Sequence, residues 1–135
     1  MTIEEAAQRR GGWDLVALPG GMPGAEHLRD CETLISLLKQ QQTEKRLYAA
    51  ICATPAVALA PHGLLPSSGG ATCYPLDAFR SAIKHPSDEE VVVQDNVVTS
   101  QGPGTSLQFA LTLGERLYGK EMADKVAKGL LVSRS

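Results

Sequence analysis

The chain has 135 residues, of which 43% are hydrophobic and 21% are charged, and its formal net charge is -2 at pH 7. This length can bury one hydrophobic core, so we expect a single domain over residues 1–135. The Lys and Arg residues are scattered, which excludes a basic surface for direct nucleic-acid binding, and no apolar stretch has the length of a membrane span or a signal core. Three widely spaced cysteines, Cys31, Cys52 and Cys73, are typical of a reducing compartment, and we expect a cytoplasmic protein.

In chain order, the first half of the sequence alternates helical and strand patterns, as an α/β fold requires. Residues 2–10 predict a solvated helix with Thr2 at its N-cap, and residues 13–24 predict a buried strand that ends in a glycine loop. A helix is expected from about Ala25. A second helix follows at residues 31–40, and residues 47–51 have the apolar character of a central strand.

The second half continues with shorter elements. A loop rich in glycine and serine leads to a short predicted strand at residues 71–73 and a predicted helix at residues 76–84. Strands are expected at residues 90–94 and 97–100. The turn-forming pair Asp95-Asn96 joins them, so these strands are predicted to form a hairpin.

Two helices are predicted at the end of the chain. Residues 105–118 form a long amphipathic pattern with Leu107, Leu111 and Leu117 on its apolar side, and residues 120–128 form a second helical pattern.

Cys52 lies between the predicted central strand and an alanine-rich helix that starts at Pro55. A strand that turns sharply into a helix holds the side chain at the bend clear of the backbone, and the first helical N–H groups stabilise a thiolate there. Such a nucleophile elbow needs small neighbours, and Ala50 and Thr54 flank the cysteine. The segment alone is equally consistent with a small buried cysteine, because free Cys packs as a compact hydrophobe.

A glycine pair, Gly20-Gly21, follows the first predicted strand. Two glycines let backbone N–H groups point into a cleft, where they stabilise a developing oxyanion. In open parallel α/β sheets, ligands bind at the carboxyl ends of the strands, where both the glycine pair and Cys52 lie. The alternative for the glycine pair is a plain tight turn.

Four motifs taken together resemble a known family. They are Leu18-Pro19-Gly20-Gly21, Ala49-Ala50-Ile51-Cys52-Ala53-x-Pro55, Thr72-x-Tyr74-Pro75, and Thr99-Ser100-Gln101-Gly102-Pro103-Gly104-Thr105 followed by Phe109-Ala110-Leu111. From about Trp13 to Val132 the chain resembles the ThiJ/PfpI superfamily, and within it the branch of the Parkinsonism-associated protein deglycase and glyoxalase. The protease-like and larger glyoxalase branches have a histidine directly after the cysteine, whereas this chain has Ala53.

The resemblance implies a flavodoxin-like three-layer α/β sandwich with a mostly parallel sheet. It implies that Cys52 is the reactive cysteine and that the backbone N–H groups of Gly21 and Ala53 are the oxyanion donors. It implies no cofactor, and no ligand spacing in the chain favours a metal. His85 lies in the region where the family has a histidine near the cysteine, so it is a candidate general base. The alternative is a loop histidine whose following Pro86 shapes the backbone.

The family also has a glutamate that hydrogen-bonds the cysteine sulfur, carried on an opening portion that precedes the glycine loop. Residues 1–12 are all that precede the first predicted strand here, and Glu4 and Glu5 lie too close to Gly20 to take that role. We therefore expect the chain to be about the C-terminal two thirds of the family domain, without the opening β-α-β portion. Organellar targeting by a missing front segment is left open.

The function that the resemblance implies is a cofactor-independent glyoxalase or deglycase that uses Cys52. Its substrates would be a small α-oxoaldehyde such as methylglyoxal or a glycated protein or nucleotide, and the full-length form would be a homodimer. The alternative is a non-catalytic oxidative-stress sensor or redox chaperone that uses the same cysteine. A glutamine amidotransferase would share the elbow, but its later His-x-Glu motif is missing. Cys31 is expected to be inert within a helix, and Cys73 is not assigned to the site.

Overall fold

The structure, a computed structural model, describes residues 1–134. Its main elements, in chain order, are α1 (Ile3–Ala7), β1 (Leu15–Leu18), α2 (Gly24–Asp30), α3 (Glu32–Thr43), β2 (Leu47–Ile51), α4 (Asp77–Arg80), β3 (Val91–Gln94), β4 (Val97–Ser100), α5 (Ser106–Tyr118) and α6 (Lys120–Gly129). Among these residues, no helix is long and apolar enough to cross a membrane.

The four strands form one sheet in the order β1-β2-β4-β3. The first three in this order run parallel, and β3 pairs with β4 as the predicted antiparallel hairpin. Leu18 lies opposite Ala50, and Ile51 lies opposite Ser100, so the carboxyl ends of β1, β2 and β4 meet at one edge of the sheet. The prediction of a mostly parallel sheet is confirmed, and the segments that follow these three strands are brought together.

Side chains of β2 alternate between two helical layers. On one face, Tyr48 and Ala50 pack in a cluster with Leu38 of α3. On the other face, Leu47 and Ala49 pack with residues of α5. Alternation on a strand with both faces buried requires a helix layer on each side of the sheet. The predicted three-layer sandwich is therefore confirmed, with β2 at its centre.

The first helix follows its local sequence signals. The Thr2 side chain accepts a hydrogen bond from the Glu5 N–H, and the Glu5 carboxylate accepts one from the Thr2 N–H, which is a complete capping box. The Glu5 carboxylate therefore caps α1.

The segment after Cys52 forms the predicted helix in an unusual form. Residues Pro55–Leu59 form a π-helix, in which the Ala60 N–H donates to the Pro55 carbonyl, and Ala60–His62 continue as a 3-10 turn. Pro61 has no N–H to donate, so an α-helical ladder cannot continue through it. The predicted helix that starts at Pro55 is confirmed, and its hydrogen bonding is of the π-helical type.

The predicted strand at residues 71–73 and the predicted helix at residues 76–84 are also different in the structure. Instead of a strand there is one bridge between Ala71 and Pro86. The Thr72 N–H donates to the Thr99 side chain and the Tyr74 N–H to the Cys52 carbonyl, so these donors do not serve one neighbouring strand. The helix is limited to Asp77–Arg80 because the N–H groups of Ala82 and Ile83 bond three residues back, as in a tighter turn.

The apolar side predicted for residues 105–118 is partly wrong. Leu111 is buried as predicted, but Leu107 and Leu117 are 52% and 38% exposed. The sheet is covered instead by Phe109 and Leu113, which are one helical turn apart and pack on β2 and β4. Leucine spacing alone does not fix which stripe of a helix faces the core.

Candidate active site

Cys52 follows the last residue of β2 and adopts φ of +66°, a left-handed conformation that is uncommon for a residue with a side chain. Two backbone hydrogen bonds hold it there. Its N–H donates to the Ser100 carbonyl at 3.0 Å, and its carbonyl accepts from the Tyr74 N–H at 2.8 Å. The side chain is half-buried, and the thiol is free. This geometry is that of a strained turn between a strand and a helix, which presents its side chain at the end of the sheet.

Gly20 lies directly against Cys52. A Cβ atom at Gly20 would lie 2.5 Å from the Cβ of Cys52 and 2.9 Å from the carbonyl oxygen of Ile51. No side chain fits in that space without displacing the cysteine. The sequence indicated that the glycine pair supplies N–H donors, but it did not indicate that Gly20 leaves room for the Cys52 side chain, which we call its clearance role. The motif itself was the only signal for it.

The neighbouring Gly21 adopts φ of +94°, which favours glycine. Its carbonyl accepts the Ala25 N–H at the start of α2, and the Ala53 carbonyl accepts the N–H groups of Ala56 and Val57. Within residues 1–134, neither the Gly21 N–H nor the Ala53 N–H has a protein acceptor. Both donors are thus available near the end of β2, and their action on an oxyanion stays a prediction.

Ser100 and Thr105 build the turn that supports the elbow from the β4 side. Their hydroxyl oxygens lie 2.6 Å apart, and the Ser100 hydroxyl donates to the Glu90 carbonyl. The Thr105 hydroxyl oxygen also accepts the Gly102 N–H. These bonds fix the Ser100 backbone, whose carbonyl receives the Cys52 N–H. The adjoining residues Pro103–Thr105 form a short 3-10 turn before α5.

Cys73 and Tyr74 lie beside the elbow, because the Tyr74 N–H bonds the Cys52 carbonyl. Cys73 is buried, and burial raises the pKa of its thiol, with a smaller raising effect from Cys52 and an opposing effect from Arg80. The Tyr74 ring packs over Gly102, where a Cβ would lie 3.3 Å from the ring. Tyr74 is 44% exposed, so its ring forms part of the outer wall of this region.

The remaining candidates lie farther from these contacts. His85 is exposed on the loop before β3, its carbonyl accepts the Ala71 N–H, and its imidazole has no hydrogen-bond partner among residues 1–134. Its role as a general base stays a prediction. Cys31 is half-buried at the junction of α2 and α3 rather than inside one helix, because its carbonyl already accepts the Ile35 N–H of α3. In the described part of the chain, no His, Cys, Asp and Glu side chains group as metal ligands.

Fold and site together define an α/β sandwich protein with a cysteine elbow at the carboxyl edge of its sheet. Residues 1–116 match the profile of the DJ-1/PfpI family, and the chain belongs to that family. It is 43% identical over 122 residues to DJ-1 homolog A of Arabidopsis thaliana, covering 89% of this chain. It is also 37% identical over 124 residues to a Caenorhabditis elegans protein named glutathione-independent glyoxalase DJR-1.2, covering 90% of this chain and 64% of that protein.

The solved structure of oxidized Toxoplasma gondii DJ-1 superimposes with a TM-score of 0.89 at 40% identity. That match covers 98% of this chain and 70% of the Toxoplasma chain. The coverage of the Arabidopsis homologues A and B is lower, at 31% and 29% of their lengths. The chain therefore spans less than a third of these two relatives and about two thirds of others.

Proposed function

We propose that the chain carries the nucleophilic half of a cysteine-dependent glyoxalase or deglycase site. The observation that carries the proposal is the positive φ of Cys52, held by β4 and by the Tyr74 backbone beside two unbonded N–H groups. A strained residue at a strand end, with unbonded N–H groups in the adjoining segments, is an arrangement that suits nucleophilic catalysis with oxyanion stabilisation. The name of the Caenorhabditis elegans relative supports the same reaction class.

In the proposed reaction, the Cys52 sulfur bonds to the aldehyde carbon of an α-oxoaldehyde such as methylglyoxal. The carbonyl electron pair moves to oxygen, where the Gly21 and Ala53 N–H groups stabilise it until it is protonated. A base then moves the proton of the aldehyde carbon to the neighbouring carbon, while the proton of the new hydroxyl passes to the neighbouring carbonyl oxygen, which leaves a thioester on Cys52. Water hydrolyses the resulting thioester to lactate and the free thiol. The oxidation of one carbon is balanced by reduction of the other, so the reaction needs no cofactor.

The base in this scheme is His85 in our proposal, or a group outside this chain. Loss of a positioned acid or base typically lowers a rate by about 10²–10⁴-fold, so we expect slow turnover by the chain alone. Deglycation of methylglyoxal adducts, a cytoplasmic location and a homodimeric full-length form belong to the same proposal. The three free thiols are compatible with a reducing compartment.

The test measures how fast iodoacetamide alkylates each cysteine at neutral pH, with and without methylglyoxal as the protecting agent. Mass spectrometry identifies the alkylated cysteines. We expect Cys52 to be alkylated fastest, because Cys73 is buried and Cys31 lies among apolar side chains. Methylglyoxal should protect Cys52 and leave Cys31 unaffected. Cys31→Ala is the matched control for Cys52→Ala, since both thiols are half-buried and free. Equal protection of Cys31 and Cys52 would contradict the elbow assignment.

The second candidate function is an oxidation sensor, which the oxidized state of the Toxoplasma relative favours. An accessible thiolate is converted by peroxide to sulfenic and then sulfinic acid. The two functions differ in turnover, because a sensor reacts once with peroxide and releases no lactate. Lactate release that continues beyond one equivalent per chain and disappears in Cys52→Ala supports the enzyme. Oxidation of Cys52 with no lactate release supports the sensor.

A further inference from the structure

Thr54 connects the two loops that form the candidate site. It lies two residues after Cys52 and is fully buried. Its hydroxyl donates to the Pro19 carbonyl at 2.6 Å, across 35 positions of sequence. A buried hydroxyl with a short, well-made bond to a distant loop fixes the relative position of the two segments.

The bond lies where the sheet no longer holds the glycine loop. Pairing of β1 with β2 ends at Leu18 and Ala50. The next residue, Pro19, has no N–H to continue the ladder. Over residues 1–134, the Thr54 bond is the one hydrogen bond between the loop 19–23 and the segment 52–56.

The accepting carbonyl controls the geometry of the glycine pair. The Pro19 carbonyl and the Gly20 N–H belong to one planar peptide unit, so fixing the carbonyl also fixes the direction in which the chain enters Gly20. A Cβ atom added at Gly20 would in turn lie 2.5 Å from the Cβ of Cys52, so Gly20 has no room to approach it. A small rotation of this peptide unit would therefore move Gly20 against the cysteine and shift the next peptide unit, Gly20–Gly21, which carries the Gly21 N–H.

We propose that Thr54 is a positioning residue, which clamps the glycine loop onto the elbow so that the Gly21 N–H faces the oxygen of an aldehyde bound to Cys52. Thr54 touches neither the thiol nor the substrate in this role. The expected effect on the loop rests on the Thr54–Pro19 hydrogen bond alone. The expected effect on aldehyde binding rests on the proposed function as well.

The test compares Thr54→Val, which keeps the shape and loses the hydroxyl, with Thr54→Ser, which keeps the hydroxyl. Alkylation of Cys52 by iodoacetamide displaces iodide and forms no oxyanion, so its rate should change little in either variant. Protection of Cys52 by methylglyoxal requires the oxygen to be stabilised. We expect the methylglyoxal concentration for half-protection to rise by about 10²-fold in Thr54→Val, the loss typical of one misplaced oxyanion donor, and to return toward the original value in Thr54→Ser.

A second measurement tests the clamp without any aldehyde. Amide hydrogen exchange in the peptide covering residues 19–28 should be faster in Thr54→Val than in the unmodified chain and in Thr54→Ser. Thr54→Ala serves as a second hydroxyl-free variant if the valine variant folds poorly. Unchanged loop exchange in the hydroxyl-free variant overturns the inference, as does equal loss of alkylation and protection. Faster loop exchange, in a chain that methylglyoxal never protects, supports the clamp and refutes the proposed aldehyde reaction.

Discussion

Replacement of Gly20 by alanine is the most direct perturbation of the candidate site. The added Cβ would lie 2.5 Å from the Cβ of Cys52, whereas carbon atoms in ordinary contact are about 3.5–4.0 Å apart. The loop or the cysteine must therefore move by about 1 Å. The Ile51 carbonyl oxygen, which would lie 2.9 Å from the Cβ added at Gly20, limits how the loop can move. Overpacking of this kind typically costs about 1–3 kcal/mol of folding free energy.

The same displacement should weaken the chemistry as well as the fold. A displacement of about 1 Å between reacting groups can cost about 10²-fold in rate. We therefore expect Gly20→Ala to weaken methylglyoxal protection of Cys52 by about 10²-fold, while the free energy of unfolding in urea falls by about 1–3 kcal/mol. Protection is measured by iodoacetamide competition and stability by urea titration.

Gly24→Ala is the matched control, because Gly24 lies in the same region and a Cβ there meets nothing within 4 Å. It should behave as the unmodified chain in both assays. If Gly20→Ala also behaves as the unmodified chain, the space around Cys52 is wider than the structure indicates, and the clearance role of Gly20 is refuted.

Three other changes test the backbone strain at Cys52, the burial of Tyr48 and the exposed edge of β1. Cys52→Gly should be more stable in urea than Cys52→Ala by about 1 kcal/mol, because φ of +66° strains any side chain, and equal stabilities would refute strain at the elbow. Burial raises the pKa of Tyr48 to about 12, above the unfolded value of 10.0, so its stabilising effect is full below pH 10 and is lost as pH rises through 12. Urea titrations at rising pH should show less alkaline loss of stability in Tyr48→Phe, and an identical loss would contradict this assignment. Strand β1 is an edge of the sheet formed by the described residues, and an exposed edge offers unpaired backbone groups to a second chain, so we expect self-association there. Ala17→Lys places a charge on this edge and should reduce the association measured by light scattering. Ala110→Lys on exposed α5 should not reduce it, and equal effects would exclude the edge as the contact.

The elements that sequence predicted well carry their own local signals. The capping box of Thr2 and Glu5, the apolar run of β2 and the turn at Asp95-Asn96 each involve residues within a few positions of one another. The mostly parallel direction of the strands came from the family resemblance, and the structure agrees with it.

The elements predicted wrongly depend on distant partners. Residues 71–73 have strand-like composition, yet the Thr72 N–H bonds a side chain of β4 and the Ala71 N–H bonds the His85 carbonyl. The buried stripe of α5 is selected by the sheet beneath it rather than by leucine spacing. The Thr54 bond was missed for the same reason, because its acceptor lies 35 residues away. Contacts of this range leave no periodic pattern in the sequence.

The four motifs that define the family resemblance share a single structural target. The first supplies Gly20, whose missing side chain leaves room for Cys52, and the second supplies the cysteine itself. The third supplies the Tyr74 N–H, which bonds the Cys52 carbonyl, and the fourth supplies the Ser100 carbonyl, which accepts the Cys52 N–H. A left-handed cysteine is unfavourable by about 1–3 kcal/mol unless its surroundings fix it, and here the end of β4 and the backbone of the Tyr74 loop each contribute one fixing hydrogen bond. The motifs are far apart in the chain because parallel strands bring their carboxyl ends together only in the folded sheet, and the cysteine is strained at the point where all of them meet.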